Sequence, residues 1–303
     1  MGQTVKNKKN KSASASSRSK RRNRKREGFR FFRFLSSIPA WGIWLGAILI
    51  AFAYVFFFYY FFVDPYSFRW KAIYGKPQYP EGYDIRGIDI SHYQEQINWQ
   101  KLRNANINND PVRFIIIKAT EGVSLMDDNF NENFYQARAN DFIRGAYHFY
   151  VPGLNVDKQA RFYLHQVHLE PGDFPPILDV EKIGSETPQQ LKKNVLRWLT
   201  IVENHYKVKP ILYTSYKFKT QYLNDEVFNQ YPYWIAHYYV SELRYKGEWA
   251  IWQHTDCGEL DGIRGKVDLN IFNGSEAELH QFTIQEDDDE ELLELEAEEA
   301  DAP

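Results

Sequence analysis

The chain has 303 residues, 44% hydrophobic, 17% aromatic and 25% charged, a make-up ordinary for a globular body with appendages. Its one cysteine, Cys257, excludes an intrachain disulfide and any multi-cysteine zinc site. The net charge of −3 hides a polarity: residues 1–33 carry thirteen Lys/Arg against one Glu (+12) and residues 285–303 carry eleven Asp/Glu and no base (−11), so the middle holds only −4 and offers no nucleic-acid surface.

The basic head, residues 1–33, cannot bury a core and is expected to be disordered. From Phe34 to Val63 there is no charged residue. Pro39–Val63 is long enough to cross a bilayer, which takes roughly 20 apolar residues, so residues 34–63 are read as a transmembrane signal-anchor helix. The Lys/Arg excess lies before the span, which predicts a cytoplasmic N-terminus and a periplasmic or extracellular body. A cleaved signal peptide competes, since Ala51-Phe52-Ala53 has the small-x-small spacing of a cleavage site. Cutting there leaves an aromatic run at the new N-terminus, and the apolar stretch exceeds the about 7–15 residues of a signal core. The uncleaved anchor is the reading adopted. Residues 64–83, with Pro65, Pro77 and Pro80, read as a stalk.

Residues 84–282 then show eight short apolar runs: GIDIS (87–91), FIIIKAT (114–120), GAYHFY (145–150), PILDVE (176–181), PILYTS (210–215), YWIAHY (233–238), WAIWQHT (249–255) and VDLNIF (267–272). Such runs fit strands buried on both faces. Segments of helical composition separate the first five: Asn98–Ala105, Asp128–Ala139, Val156–His168 and Pro188–Tyr206, the last preceded by Thr187 as N-cap with proline at the first helical position. The connections 239–248 and 256–266 are short for crossover helices. The expected fold is α/β: an irregular TIM-like (β/α) barrel, about five β/α units followed by β-only closure with partly antiparallel pairing among the last strands. Polar and aromatic groups gather at the C-terminal ends of the runs, where barrel active sites sit. The acidic tail, 283–303, is expected to be solvated and disordered, and no protein partner for it is assigned.

Within PILDVE, Asp179 and Glu181 are two apart and so share a strand face. Paired buried acids raise at least one pKa. Glycoside hydrolysis needs that arrangement, one acid to protonate the leaving oxygen and one carboxylate to meet positive charge on the sugar; an ion-pairing or capping role is the bland alternative. Asp89 ends the first strand and Asp268 opens the last. Each alone reads equally well as a cap or turn residue, yet strands one and eight are neighbours in a closed barrel and bring both to one cleft. Tyr147, Tyr213 and Tyr238 are expected to face that cleft with Gln253 as substrate contacts, and Phe149 and Trp234 to be core. The eight histidines form no metal motif; His148, His237 and His254 are read as orienting or core residues. There is no phosphate loop and no nucleophile-elbow serine.

Taken in order, GIDIS…INW, FIIIKATEG, GAYHFY, ILDVE, PILYTS, YWIAHY, AIWQHT and VDLNIF resemble glycoside hydrolase family 25, the Chalaropsis-type lysozymes, over about Gly87 to Phe272. The resemblance implies cleavage of the β-1,4 bond after N-acetylmuramic acid in peptidoglycan glycan strands, with no metal or organic cofactor. It makes Glu181 the general acid, Asp89, Asp179 and Asp268 the other active-site carboxylates, and Tyr147 a cleft tyrosine. It also implies retention of configuration. Direct attack by an aspartate and attack by the sugar's own acetamido group, oriented by Asp179, both stay open, the second being preferred because the substrate carries that group. One departure stands at the rim: Glu95 follows Ser91-His92-Tyr93-Gln94 where the family usually has glycine. A catalytically inactive glycan-binding envelope protein and a hydrolase of another amino-sugar polymer such as chitin are the competing readings.

Overall fold

The computed structural model describes residues 39–58 and 79–286. The basic head, most of the stalk and residues 287–303 of the acidic tail read from the sequence lie outside the described residues; the first residues of that tail, 283–286, are described. The chain divides into two compact units, residues 1–69 and 70–303.

The first unit contributes helix α1 (Ala40–Phe58), 19 residues without a charge. At 1.5 Å per residue it is about 28 Å long, close to the ~30 Å hydrocarbon core of a bilayer. Trp41, Leu45, Phe52 and Phe56 are all exposed. By length and composition the helix is able to cross a membrane, and being apolar all round it has no face suited to water.

The second unit is built on a closed, barrel-like sheet of eight strands: β1 (Arg86–Ile90), β3 (Asp110–Glu121), β5 (Ile143–Phe149), β6 (Ile177–Asp179), β7 (Ile211–Ser215), β8 (Tyr233–Ala236), β9 (Ile251–Gly258) and β10 (Val267–Phe272). Two short strands, β2 (Asn106–Ile107) and β4 (Leu125–Met126), pair with β3. Parallel pairing runs from β1 through β3, β5, β6, β7 and β8 to β9, and β10 alone is antiparallel, closing the sheet between β9 and β1. Helices α2 (Trp99–Arg103), α3 (Phe130–Ala139), α4 (Val156–Gln166), α5 (Pro188–Tyr206) and α6 (Tyr216–Tyr222) follow β1, the β3–β4 hairpin, β5, β6 and β7 in turn. The N-cap of α5 is the one its sequence announces: the Thr187 hydroxyl accepts from the Gln190 N–H at 3.2 Å. Helix α6 was not legible in the sequence, because seven residues rich in tyrosine and phenylalanine have weak helix propensity; the Ser215 cap, accepting from the Phe218 N–H, holds its start.

One connection differs from expectation. The stretch judged too short for a crossover, 239–248, extends in the structure from 237 to 250, and β8 and β9 pair parallel across it with no helix. The chain leaves the short strand β8 two residues earlier than the apolar run ends, which supplies the dozen or so residues a parallel return requires.

Period-two alternation divides each strand between two environments. Ile88 and Ile90, Ile115 and Ile117, Leu178 and Val180, and Leu269 face outward into a core shared with the helices, among them Trp198 and Tyr163. Phe114, Ile116, Ile177, Ile211, Trp234 and Ile251 face inward. Space inside is tight: a Cβ on Gly87 would stand 2.3 Å from the Phe114 ring, so only glycine fits opposite that ring. The end of the barrel away from the site is closed by α7 (Glu276–Gln281), whose Ser275–Glu278 capping box fixes its start. Leu279 and Phe282 reach the inner core beside Phe174 and Phe272. Ile284 continues that closure, exchanging backbone hydrogen bonds with Gly172 and Asp173.

Candidate active site

Because the inward positions of each strand are apolar at one end and polar at the other, the closed sheet has a dry floor and a wet mouth. A cavity of about 230 Å³ opens at the mouth, and Asp89, Tyr147, Asp179, Glu181, Tyr213, Tyr238, Gln253 and Asp268 all border it. Parallel strands deliver their C-terminal residues there. The antiparallel strand β10 delivers its beginning, and in its register Asp268 sits opposite Asp89.

Asp89 is buried, and one of its oxygens, Oδ2, accepts from Gln253 Nε2 and from Asn270 Nδ2, both at 2.7 Å. Burial raises its pKa to about 6; the hydrogen bonds from Asn270 and Gln253, and one shared with Asp268, oppose the rise. Asp268 is pushed well above the ordinary carboxyl range, first by burial, then by the charges of Asp89 and Asp256. The two facing acids, both with raised pKa values, titrate as a coupled pair.

Asp179 ends β6, and Glu181 lies just past the strand, beyond Val180, whose backbone N–H donates to Tyr213 and whose carbonyl accepts from the Thr214 hydroxyl. Asp179 is buried, with its Oδ1 unpartnered within the protein. Burial, then the charges of Glu181 and Asp89, raise its pKa well above the ordinary value. Glu181 is exposed at the mouth, yet the cavity wall surrounds its carboxyl closely enough that desolvation is the leading cause of a raised pKa. Lys182 and Lys118 pull it the other way. Among the described residues neither acid is held in an ion pair: Lys118 spends its ammonium on Glu121 at 2.5 Å.

The tyrosines divide. Tyr213 and Tyr238 both donate to Gln253 Oε1, Tyr213 at 2.7 Å. Gln253, expected as a substrate contact, is thereby committed to orienting Asp89, since its other amide atom donates there. Tyr147 has no such commitment, and burial beside Asp179, Asp89 and Asp268 raises its phenol well above 10, so it stays a hydrogen-bond donor. Trp234 is buried, as expected, and also forms cavity wall, with its indole N–H donating to Asn270 Oδ1 at 2.8 Å. Phe149 departs from its expected place in the core: it borders the cavity, half-buried, with the Lys118 and Lys182 ammonium groups 5.1 and 5.5 Å from its ring. A bulge in β3 between Lys118 and Thr120 shifts the register against β5 beside it.

Sequence reasoning left Asn270 out of the site and, of the residues bordering the cavity, Ser91, Tyr93, Gln94 and Lys118. Asn270 lies two positions after Asp268 on the same strand face, so the alternation that pairs Asp179 with Glu181 also points to it. Lys118 is a charge inside an otherwise apolar strand, which is a signal in itself. At the rim, Glu95 keeps the backbone shape that favours glycine, with φ +51° and ψ −133°, and its carboxylate lies 3.5 Å from Arg264.

The histidines are not part of the cavity. His148 is buried against Thr120 and Gln159 and stacks on Trp198, and burial lowers its pKa to about 4. His237 stacks on Tyr216 at 4.8 Å. Among the described residues no set of three or more His, Cys, Asp or Glu side chains is arranged to hold a metal ion. A larger open recess, about 630 Å³, lies between the segments 153–156 and 185–194. Its carboxylate, Glu186, is taken up by the Tyr150 hydroxyl, the Gly153 N–H and Asn194.

The chain is 43% identical over 204 residues to YegX of Escherichia coli O157:H7, covering 67% of this chain and 75% of that protein. It is 31% identical over 210 residues to Lysozyme M1 of Streptomyces globisporus, covering 64% and 70%. Among solved structures, it is similar to the bacterial lysozyme of Streptomyces coelicolor, with TM-score 0.61 and 28% identity over 67% of this chain and 98% of that one. A family 25 glycosyl hydrolase from Bacillus anthracis matches with TM-score 0.62 and 28% identity over 68% and 96%. The sequence profile of glycosyl hydrolases family 25 matches residues 88–263, more than half of the chain and seven of the eight barrel strands. With its acids gathered at one mouth of the same closed sheet, the chain belongs to glycosyl hydrolases family 25.

Proposed function

We propose that the protein is a peptidoglycan muramidase that hydrolyses the β-1,4 bond between N-acetylmuramic acid and N-acetylglucosamine. The observation that carries this reading is the convergence of Asp89, Asp179, Glu181 and Asp268 on one cavity, with lysozymes among the relatives in its support. Glu181, its pKa raised by desolvation and its carboxyl open to the mouth, donates its proton to the leaving glycosidic oxygen as the C–O bond breaks. Asp179 meets the opposite side of the reacting sugar. Its unpartnered Oδ1 accepts the acetamido N–H, so that the acetamido oxygen attacks the anomeric carbon and configuration is retained after water opens the cyclic intermediate. Deprotonated Glu181 takes a proton from that water. The Asp89–Asp268 pair, oriented by Gln253 and Asn270, keeps a negative charge below the sugar, and Tyr147 donates to a substrate oxygen.

The remaining organisation belongs to the same proposal. Residues 84–282 form the hydrolase domain as an irregular TIM-like barrel. Residues 34–63 anchor it in a membrane as an uncleaved span, with residues 1–33 cytoplasmic, 64–83 as stalk, 283–303 as an acidic tail, and the barrel on the side of the wall. The span restricts cleavage to glycan near the membrane.

Digestion of purified peptidoglycan with the full-length chain in detergent tests the reading. New reducing ends at muramic acid are expected, and Glu181→Gln should lower kcat by about 10²–10⁴-fold. Absence of cleavage by the wild-type chain, or undiminished cleavage by Glu181→Gln, would overturn it.

A further inference from the structure

Tyr93 is the most exposed large apolar side chain among the described residues of the second unit, at 78%. It is also one of the residues that border the catalytic cavity. A ring left that open to water is ordinarily mobile, yet this one stands on a fixed turn and lies against a fixed neighbour. Its turn (His92–Gln94) is closed by a capping box between Ser91 and Gln94, and Gln94 Nε2 also reaches across to the Lys266 carbonyl at 3.2 Å. The His92 ring lies against it, with centroids 4.1 Å apart and planes tilted by 35°. His92 in turn is fixed by Asp127, whose Oδ2 accepts from the His92 backbone N–H at 3.0 Å and stands 2.8 Å from Nδ1. The Asp127 side chain is fully buried and anchored to the sheet, with its backbone N–H donating to the Ala119 carbonyl.

We infer that Tyr93, backed by His92, is a rigid stacking platform for a sugar ring of the glycan strand that lies outside the cavity, beyond the residues flanking the cleaved bond. The inference rests on the glycan-hydrolase reading. One face of the Tyr93 ring is covered by His92, and the exposed remainder presents an apolar surface with a polar hydroxyl at its edge, which suits the C–H face and hydroxyl rim of a pyranose. Holding the ring still beforehand removes the ordering cost at the moment of binding. His92 and Asp127 are therefore positioning residues for Tyr93, acting through the stack.

The test compares Tyr93→Ala, Tyr93→Phe and His92→Ala in the full-length chain in detergent. Two substrates are used: short glycan oligomers that fill only the cavity, and peptidoglycan strands that extend past it. Tyr93→Ala should raise KM for strands about tenfold more than for short oligomers. The ratio of kcat between the two substrates should stay as in the wild type, because an outer stacking contact is the same in ground and transition states. Tyr93→Phe should restore strand affinity, and His92→Ala should fall between. An equal effect on both lengths, or none, overturns the platform. A second arm measures binding of the same glycans to the Glu181→Gln chain with and without Tyr93→Ala. If the wild-type chain cleaves nothing, the hydrolase reading fails, and the platform stands or falls on whether Tyr93→Ala weakens strand binding in this arm. Thermal melting of each variant separates a lost contact from a lost fold.

Discussion

At the scale of single residues, the site is a set of acids whose burial raises their pKa values. Glu181 has to be protonated to act as an acid, and its pKa is raised. The alkaline limb of kcat/KM should therefore lie above the pH at which an ordinary glutamate ionises, and Lys118→Met, which removes one of the charges favouring ionised Glu181, should move that limb to higher pH. A pH–rate profile of the two proteins checks this, and a limb that stays or moves down would reject the assignment. Asp268 makes a stability prediction. Its folded pKa lies above its unfolded value, so its contribution to stability is present below about pH 4, the ordinary aspartate pKa, and is lost as pH rises through the folded pKa. Asp268→Asn keeps a donor toward Asp89 without the titration. Its melting temperature relative to wild type should therefore increase from pH 4 to pH 8, while catalysis falls. A difference that is flat with pH would show that burial does not hold the proton there.

At the scale of elements, the strands were legible because burial on both faces leaves continuous apolar runs. All eight apolar runs are strands, and the outward and inward sets follow the alternation. What the pattern left out was short: α6, seven residues with little intrinsic helix preference, and the two-residue strands β2 and β4, which exist only because β3 is there to pair with. Gly87 shows how a strand position is constrained by its opposite. Gly87→Ala would press a methyl group into the Phe114 ring and should destabilise the second unit by about 1–3 kcal/mol, with partial relief in Gly87→Ala/Phe114→Leu. Denaturant midpoints of the single and double variants measure this, and an additive pair would mean the two side chains do not share that space.

At the scale of the whole molecule, the apolar helix α1 and the hydrolase unit make separate demands. Tryptophan, leucine and phenylalanine side chains are exposed along this helix, a surface suited to lipid rather than to water. The full chain should sediment with membranes and resist extraction by salt and alkali, and a chain lacking residues 1–63 should appear in the soluble fraction with its cleavage of purified peptidoglycan retained. Loss of activity in a soluble, folded truncation would show that the helix serves catalysis as well as location.

The amino-acid sequence by itself determined which stretches are strands and which residue types gather at their ends, because these are local consequences of burial and of where an apolar run stops. It also marked Asp179 and Glu181 as a pair two positions apart, although the strand ends at Asp179 and Glu181 lies just past it. The tertiary structure decided which acids from different strands meet and which polar groups serve the protein rather than a substrate. Asn270 and Asp89 are 181 positions apart and bond only because β10 runs antiparallel beside β1 in one register. Gln253 is tied to Asp89 because closure of the sheet brings two tyrosines and an aspartate within reach of one amide. Such partnerships depend on how distant segments are aligned across the barrel, and no local pattern carries that alignment.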